Sequence, residues 1–206
     1  MTIGFKQRYR AVRSQLNSMT LRFRLCFRGS RPLRIVIGAA GLYDRGWIAT
    51  DIEQLDLLKE ESWQRLFERG SVHSLLAEHV WEHLSEEDGY EAARRCYEYL
   101  KPGGYLRVAV PDGFNPNPQY IDYVKPGGNG AGAHDHKVLY DHRTLSRVLE
   151  EAGFRVQLLE YFDSKGVFHS VDWLPKDGKI HRSQLFDDRN LGGSLSYTSL
   201  MLDAWK

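Results

Sequence analysis

Residues 33–51 read Leu-Arg-Ile-Val-Ile-Gly-Ala-Ala-Gly-Leu-Tyr-Asp-Arg-Gly-Trp-Ile-Ala-Thr-Asp, and this stretch decides the fold. Ile35, Val36 and Ile37 form a short β-branched run that breaks into Gly38, Ala39, Ala40 and Gly41. That is the pattern of a buried strand ending in a turn that carries little side chain. Trp47 to Thr50 is a second short strand, ending in Asp51. Parallel neighbours end on the same edge of their sheet, so the bare turn and the Asp51 carboxylate are expected side by side. A nucleoside-bearing cofactor needs that pairing: open backbone for close approach, and an acceptor for ribose hydroxyls. A dinucleotide or a bare phosphate fits less well, because neither Gly-x-Gly-x-x-Gly nor Gly-Lys-Ser follows the strand.

Outward from this stretch, strands and helices alternate. Glu60 to Glu68 has helical spacing through Trp63, Leu66 and Phe67, and Val72 to Ala77 has strand length. Ser85 followed by Glu86, Glu87 and Asp88 is a helix start, a capping hydroxyl with acids in the first turn. The helix carries Tyr90, Ala93, Tyr97 and Leu100 on one side and stops at Lys101-Pro102-Gly103-Gly104. Tyr105 to Val110 is the next strand, Asp141 caps a helix with Leu145, Val148 and Leu149, and Arg155 to Tyr161 and Leu195 to Trp205 are further strands. Two long irregular stretches remain, Phe114 to Lys137 and Phe162 to Gly193; the first is long enough to suggest a substrate-binding loop. The alternation predicts an α/β fold, a mostly parallel sheet covered on both faces.

The chain has 206 residues, a net charge of +1 and 42% hydrophobic residues, which predicts soluble globular structure with no partner dictated by charge. Cys26 and Cys96 make no disulfide framework, and no apolar run reaches membrane-spanning length, so the expected location is cytoplasmic. The charge is uneven: residues 1–34 hold nine Lys and Arg and no acid. Residues 1–32 are therefore set apart as a basic arm before a domain at 33–206. The arm suits packing on the acidic body or peripheral contact with a membrane surface. Within it, Leu21, Phe23, Leu25 and Phe27 alternate with polar residues and Cys26, predicting an edge strand or hairpin against the body or a second copy in a homodimer. Nucleic acid is not an expected partner, since the basic residues are confined to the arm.

In order and spacing, several segments resemble the class I S-adenosylmethionine-dependent methyltransferases, and within them a poorly characterised bacterial group of predicted small methyltransferases. They are Ile35 to Gly41, Gly-Trp-Ile-Ala-Thr-Asp at 46–51, Glu-His-Val-Trp-Glu-His-Leu at 78–84, and Leu-Lys-Pro-Gly-Gly-Tyr-Leu-Arg-Val-Ala-Val-Pro-Asp at 100–112. Leu-Glu-Glu-Ala-Gly-Phe at 149–154 and the tail from Arg182 complete the likeness, which covers 33–206. It implies a Rossmann-like sheet of seven strands, mostly parallel with an antiparallel last strand, helices on both faces, and S-adenosylmethionine as cofactor. On this likeness Gly38, Ala39, Ala40 and Gly41 pass under the methionine and ribose, Asp51 and Ile52 take the ribose side, Asp56 and Leu57 the adenine edge, and Glu78 and His79 line the reacting centre. Ala40 departs from the family's turn, which usually has glycine there; its methyl narrows the pocket.

A methyl on sulfonium is already activated, so a hydroxyl acceptor mainly needs alignment and loss of a proton. Histidine is the natural base near neutral pH. His79 is the first candidate by its strand-end position, and His134 and His136 in the long loop follow. The favoured reading is O-methylation of a small-molecule or glycan-like hydroxyl acceptor. A fold that has lost activity and serves as a binding or scaffolding protein is the main alternative. His79-Val80-Trp81-Glu82-His83 also matches the H-x-x-E-H pattern of inverted zinc peptidases, a zinc hydrolase using His79 and His83. The context disagrees, because the helix starts only after the motif, at Ser85. His134, His136 and His142 with Asp135 or Asp141 have metal-ligand character too, but no metal ligand is assigned.

Overall fold

A computed structural model describes Leu21, Leu25, residues 29–41 and residues 44–206. Most of the basic arm, and the turn residues Leu42 and Tyr43, lie outside the described residues. Leu21 and Leu25 are helical, which corrects the expected period-two strand. Leu21 is buried, and Leu25 packs on the main core.

Seven strands make one sheet: β1 (Arg34–Ile37), β2 (Ile48–Thr50), β3 (Val72–Glu78), β4 (Leu100–Val110), β5 (Arg155–Phe162), β6 (Phe168–Ser170) and β7 (Leu200–Trp205), in the order β2-β1-β3-β4-β7-β5-β6. β2, β1, β3 and β4 pair in parallel, and β7 runs antiparallel between β4 and β5. The expected Rossmann-like, mostly parallel sheet with an antiparallel last strand is what the chain builds. β6, inside a stretch read as irregular from the sequence, pairs antiparallel with β5 across a tight turn. Asp163 closes that turn by accepting from Lys165 N–H and Val167 N–H.

Four helices accompany the sheet among the described residues: α1 (Glu60–Gln64), α2 (Glu86–Tyr99), α3 (Pro118–Val124) and α4 (His142–Glu151). Both predicted caps form. Ser85 accepts from Asp88 N–H, and Asp141 accepts from Arg143 and Thr144 N–H in a capping box. α3 lies inside the stretch read as loop; Asn117 caps it and Pro118 opens it.

The larger core joins one face of the sheet (Ile35, Ile37, Leu75, Leu106) to α1, α2 and α4 through Trp63, Ala92, Cys96, Tyr99, Leu145 and Leu149. The other face carries Val36, Leu76, Ala109 and Met201. Among the described residues it is closed mainly by irregular chain rather than helix, with Trp173 and Ile180 packed on those side chains. Arg107 fixes this cover. Its guanidinium, buried on β4, pairs with Asp203 on β7 through two bonds of 2.7 and 2.8 Å and donates to Gly178 O at 2.6 Å. Glu160 on β5 adds three acceptor contacts, to Trp173 Nε1, Gln184 N and Thr198 Oγ1. No helix among the described residues is long and apolar enough to cross a membrane.

Candidate active site at the carboxyl edge of the sheet

β1 and β2 end side by side, as their parallel pairing requires, and Asp51 meets the turn after β1. Ala39 N–H donates to Thr50 O at 3.0 Å, and Ala40 N–H donates to Asp51 Oδ1 at 2.8 Å. Gly38 has φ of 61°, and a Cβ there would stand 2.7 Å from Val80 Cγ2, so only glycine keeps this floor close to the chain after β3. Ala40 also holds a left-handed backbone, at φ 47°. A left-handed Cβ costs roughly 1–2 kcal/mol and glycine's extra chain entropy about half of that, so Ala40→Gly should stabilise by about 1 kcal/mol. The expected result is a thermal midpoint raised by about 2–4 °C; a fall of that size would mean that the methyl packs usefully.

Beside the turn opens a cavity of about 440 Å³, lined by Gly38, Ala39 and Ala40, by Glu78, His79, Glu82 and His83 after β3, and by Tyr123, Val124, Ala131 and His136 from the long loop. His181, Arg182, Arg189 and Tyr197 close its outer side. Of the residues proposed from sequence, Gly38, Ala39, Ala40, Glu78, His79 and His136 come together here. Gly41 follows in the same turn and Asp51 is bonded to that turn through Ala40 N–H; neither is among the residues that line the cavity. Ile52 is exposed and His134 faces outward. Asp56 serves its own turn, accepting from Leu58 N–H and pairing with Lys59 at 2.8 Å, while Leu57 is buried in the larger core.

Glu78 is fully engaged with the cavity's outer wall. Its carboxylate accepts from Arg182 N–H at 2.7 Å and His181 N–H at 3.1 Å, and its Oε2 lies 3.2 Å from His181 Nδ1. His79 has φ of 56°, a strained conformation of the kind that gathers at functional sites. Its N–H donates to Ala109 O, its Nε2 is 2.9 Å from Ser199 Oγ, and its Nδ1 is 2.9 Å from Glu82 Oε1. With both ring nitrogens occupied, His79 is a positioning group rather than a ready base. Serine, histidine and glutamate in this order have the form of a hydrolytic triad, but Ser199 is fully buried and no substrate carbonyl can reach its Oγ.

Trp81–His83 is a single 3-10 turn ahead of α2, so His79 and His83 do not share a helix face, and the paired-histidine zinc-hydrolase geometry is not formed. His142 lies apart from the other loop histidines, its Nδ1 3.2 Å from Phe162 O. Instead, folding of the loop sets His83 and His136 edge to face, ring centres 4.8 Å apart. Sequence reading missed this pairing, as it missed Tyr123, His181, Arg182, Arg189 and Tyr197. Only Asn117-Pro118, a helix-start signal, marked that part of the loop as structured.

Glu82 is buried beside them. Burial pushes its carboxyl up, but the charge and close contact of His79 more than offset this and hold it below the usual carboxylate range. Arg189 stacks on Tyr197 and is neutralised by Asp187 in a two-point ion pair. Among the described residues Arg182 makes no such two-point pair, though its charge also acts on Asp187.

The chain matches no protein-family model and no curated protein. It is similar in structure to S-adenosylmethionine-dependent methyltransferases. One from Archaeoglobus fulgidus is 16% identical, with a TM-score of 0.49 over 94% of each chain. Another from Thermotoga maritima, described as a possible histamine N-methyltransferase, is 15% identical, with a TM-score of 0.48 over 99% of this chain and 96% of that one. A third, from Mesorhizobium loti, is 15% identical, with a TM-score of 0.48 over 84% and 91%.

Proposed function

We propose that this chain is an S-adenosylmethionine-dependent methyltransferase acting on a hydroxyl of a small-molecule or glycan-like acceptor, with residues 33–206 as the working domain and 1–32 as a separate arm. The observation that carries the reading is the contact of Ala40 N–H with Asp51 Oδ1 beside the cavity. It puts an almost side-chain-free floor next to a carboxylate whose second oxygen has no partner among the described residues, which suits a ribose diol. The fit is good on the methionine and ribose side. On the adenine side Asp56 would have to share its carboxylate with Lys59.

When bound, the cofactor supplies a methyl group on positively charged sulfur, so forming an O–CH3 bond breaks the S–CH3 bond and leaves a neutral thioether. The protein's part is alignment and proton removal. Glu78 fixes the outer wall, His79 holds Glu82 and Ser199 in place, and proton removal falls to the wall that carries Glu82, His83 and His136. Arg182, exposed on the cavity's outer side, favours acceptors that carry a negative group.

Calorimetry with S-adenosylhomocysteine tests this. Binding by the wild type and a loss of about tenfold in Asp51→Ala, roughly 1.4 kcal/mol, are expected. No detectable binding to the wild type would sink the enzyme reading and favour a scaffolding protein.

A further inference from the structure

We propose that Glu82, His83 and His136 bind one divalent transition-metal cation in the wall of the cavity. One ligating atom from each lies within 4.8 Å of the others. Coordination bonds of about 2.0–2.2 Å set neighbouring ligand atoms roughly 3–3.5 Å apart, so small side-chain movements close the set on an ion.

Two independent features point the same way. The Glu82 side chain is 1% exposed; its Oε1 faces His79 Nδ1 at 2.9 Å, and its Oε2 has no hydrogen-bond partner among the described residues. A buried carboxylate oxygen left without any partner calls for a second positive group beside His79. Both imidazoles are also oriented in the manner of metal ligands. His136 Nδ1 is 2.6 Å from Val124 O, which can only accept, so the proton lies on Nδ1 and Nε2 keeps its lone pair. His83 Nδ1 faces Asp135 Oδ2 at 3.2 Å, a carboxylate–histidine arrangement with the same consequence.

Two imidazoles and one carboxylate with an open side suit Zn²⁺, Mn²⁺, Fe²⁺ or Co²⁺ better than Mg²⁺ or Ca²⁺. The open side is the cavity itself. With the ion bound, a hydroxyl ligated to it would lose its proton near neutral pH, so the acceptor class is a hydroxyl compound that reaches the open side of the ion. That acceptor class rests on the methyltransferase reading; the cation site does not.

The test is titration of metal-stripped full-length protein with Mn²⁺, Zn²⁺ and Co²⁺, by calorimetry and, for Co²⁺, by visible absorption. One ion per chain is expected. His83→Gln and His136→Gln should each weaken binding at least tenfold and alter the Co²⁺ spectrum, and Asp135→Asn, which only orients His83, should weaken it by about tenfold. These side chains are less buried than Glu82, so the variants should remain folded, which circular dichroism checks. No stoichiometric ion in the wild type, or wild-type affinity in both histidine variants, would overturn the site. S-adenosylhomocysteine titrated into the same protein separates the two readings. Its binding to protein that takes up no ion overturns the metal site alone, whereas ion uptake without it supports the site and removes the acceptor role.

Discussion

Asp203→Ala should destabilise the fold by about 3–5 kcal/mol, because it strands a buried guanidinium. Arg107 and Asp203 face each other in register on β4 and β7, with side chains 3% and 7% exposed and bonds at both ends of the guanidinium fork. Without the carboxylate, Arg107 keeps Gly178 O and the face of Trp173, neither of which neutralises its charge. In a chain of this size the thermal midpoint should fall by roughly 6–20 °C, measurable by calorimetry or urea unfolding. The double variant Arg107→Met, Asp203→Leu should recover most of the loss, since apolar side chains of similar volume remove the desolvation cost along with the attraction. A loss below about 1 kcal/mol in the single variant would mean that water reaches the guanidinium.

The second large effect is a pH dependence set at the end of β4. Burial pushes the Asp112 carboxyl up to about 6, against the pull of the Phe162 and Phe114 N–H groups that it accepts from and of the nearby His142. The unfolded chain releases this proton near the ordinary value of 3.8. Between these pH values the folded protein therefore binds the proton that the unfolded chain has lost, and stability falls as pH rises from about 4 to about 6. The change is on the order of 3 kcal/mol, and above that window it is a constant penalty. Asp112→Asn has no such proton, so the difference in unfolding free energy between wild type and variant should change by about this amount across the window. Urea titrations at several pH values read it directly. The net stability of the variant is a separate matter, because an amide has only one oxygen for the two N–H donors. Parallel curves for the two proteins would show that the carboxyl is hydrated.

What could be read from the sequence was what is decided locally. Ser85 and Asp141 start helices by bonding N–H groups two or three residues on, and β1 with its bare turn needs no distant partner to be recognised. The neighbourhood of Asp51 and Ala40 followed from parallel pairing alone. The misreadings share a different cause. Leu21 and Leu25 suit a strand or a helix equally over so short a span, and packing on the larger core decides for helix. β6 is three residues long and exists because Asp163 turns the chain back along β5. Arg107 looked like an ordinary strand residue because its partner is 96 residues away. His83 and His136 meet only because α3 gives the loop its course, with Val124 O aligning one ring and Asp135 the other. Alternation and spacing carry no trace of such a meeting.

The chain that covers the second face of the sheet and the chain that walls the cavity are one continuous strap. Trp173 and Gly178 are held from behind by Arg107, and His181 and Arg182, a few residues on, are held from the front by Glu78. Loosening either hold should therefore be felt at the other. Substitution of Arg107, on the far side of the sheet, should accordingly change which molecules the cavity admits, and ligand-binding assays on such variants would read it.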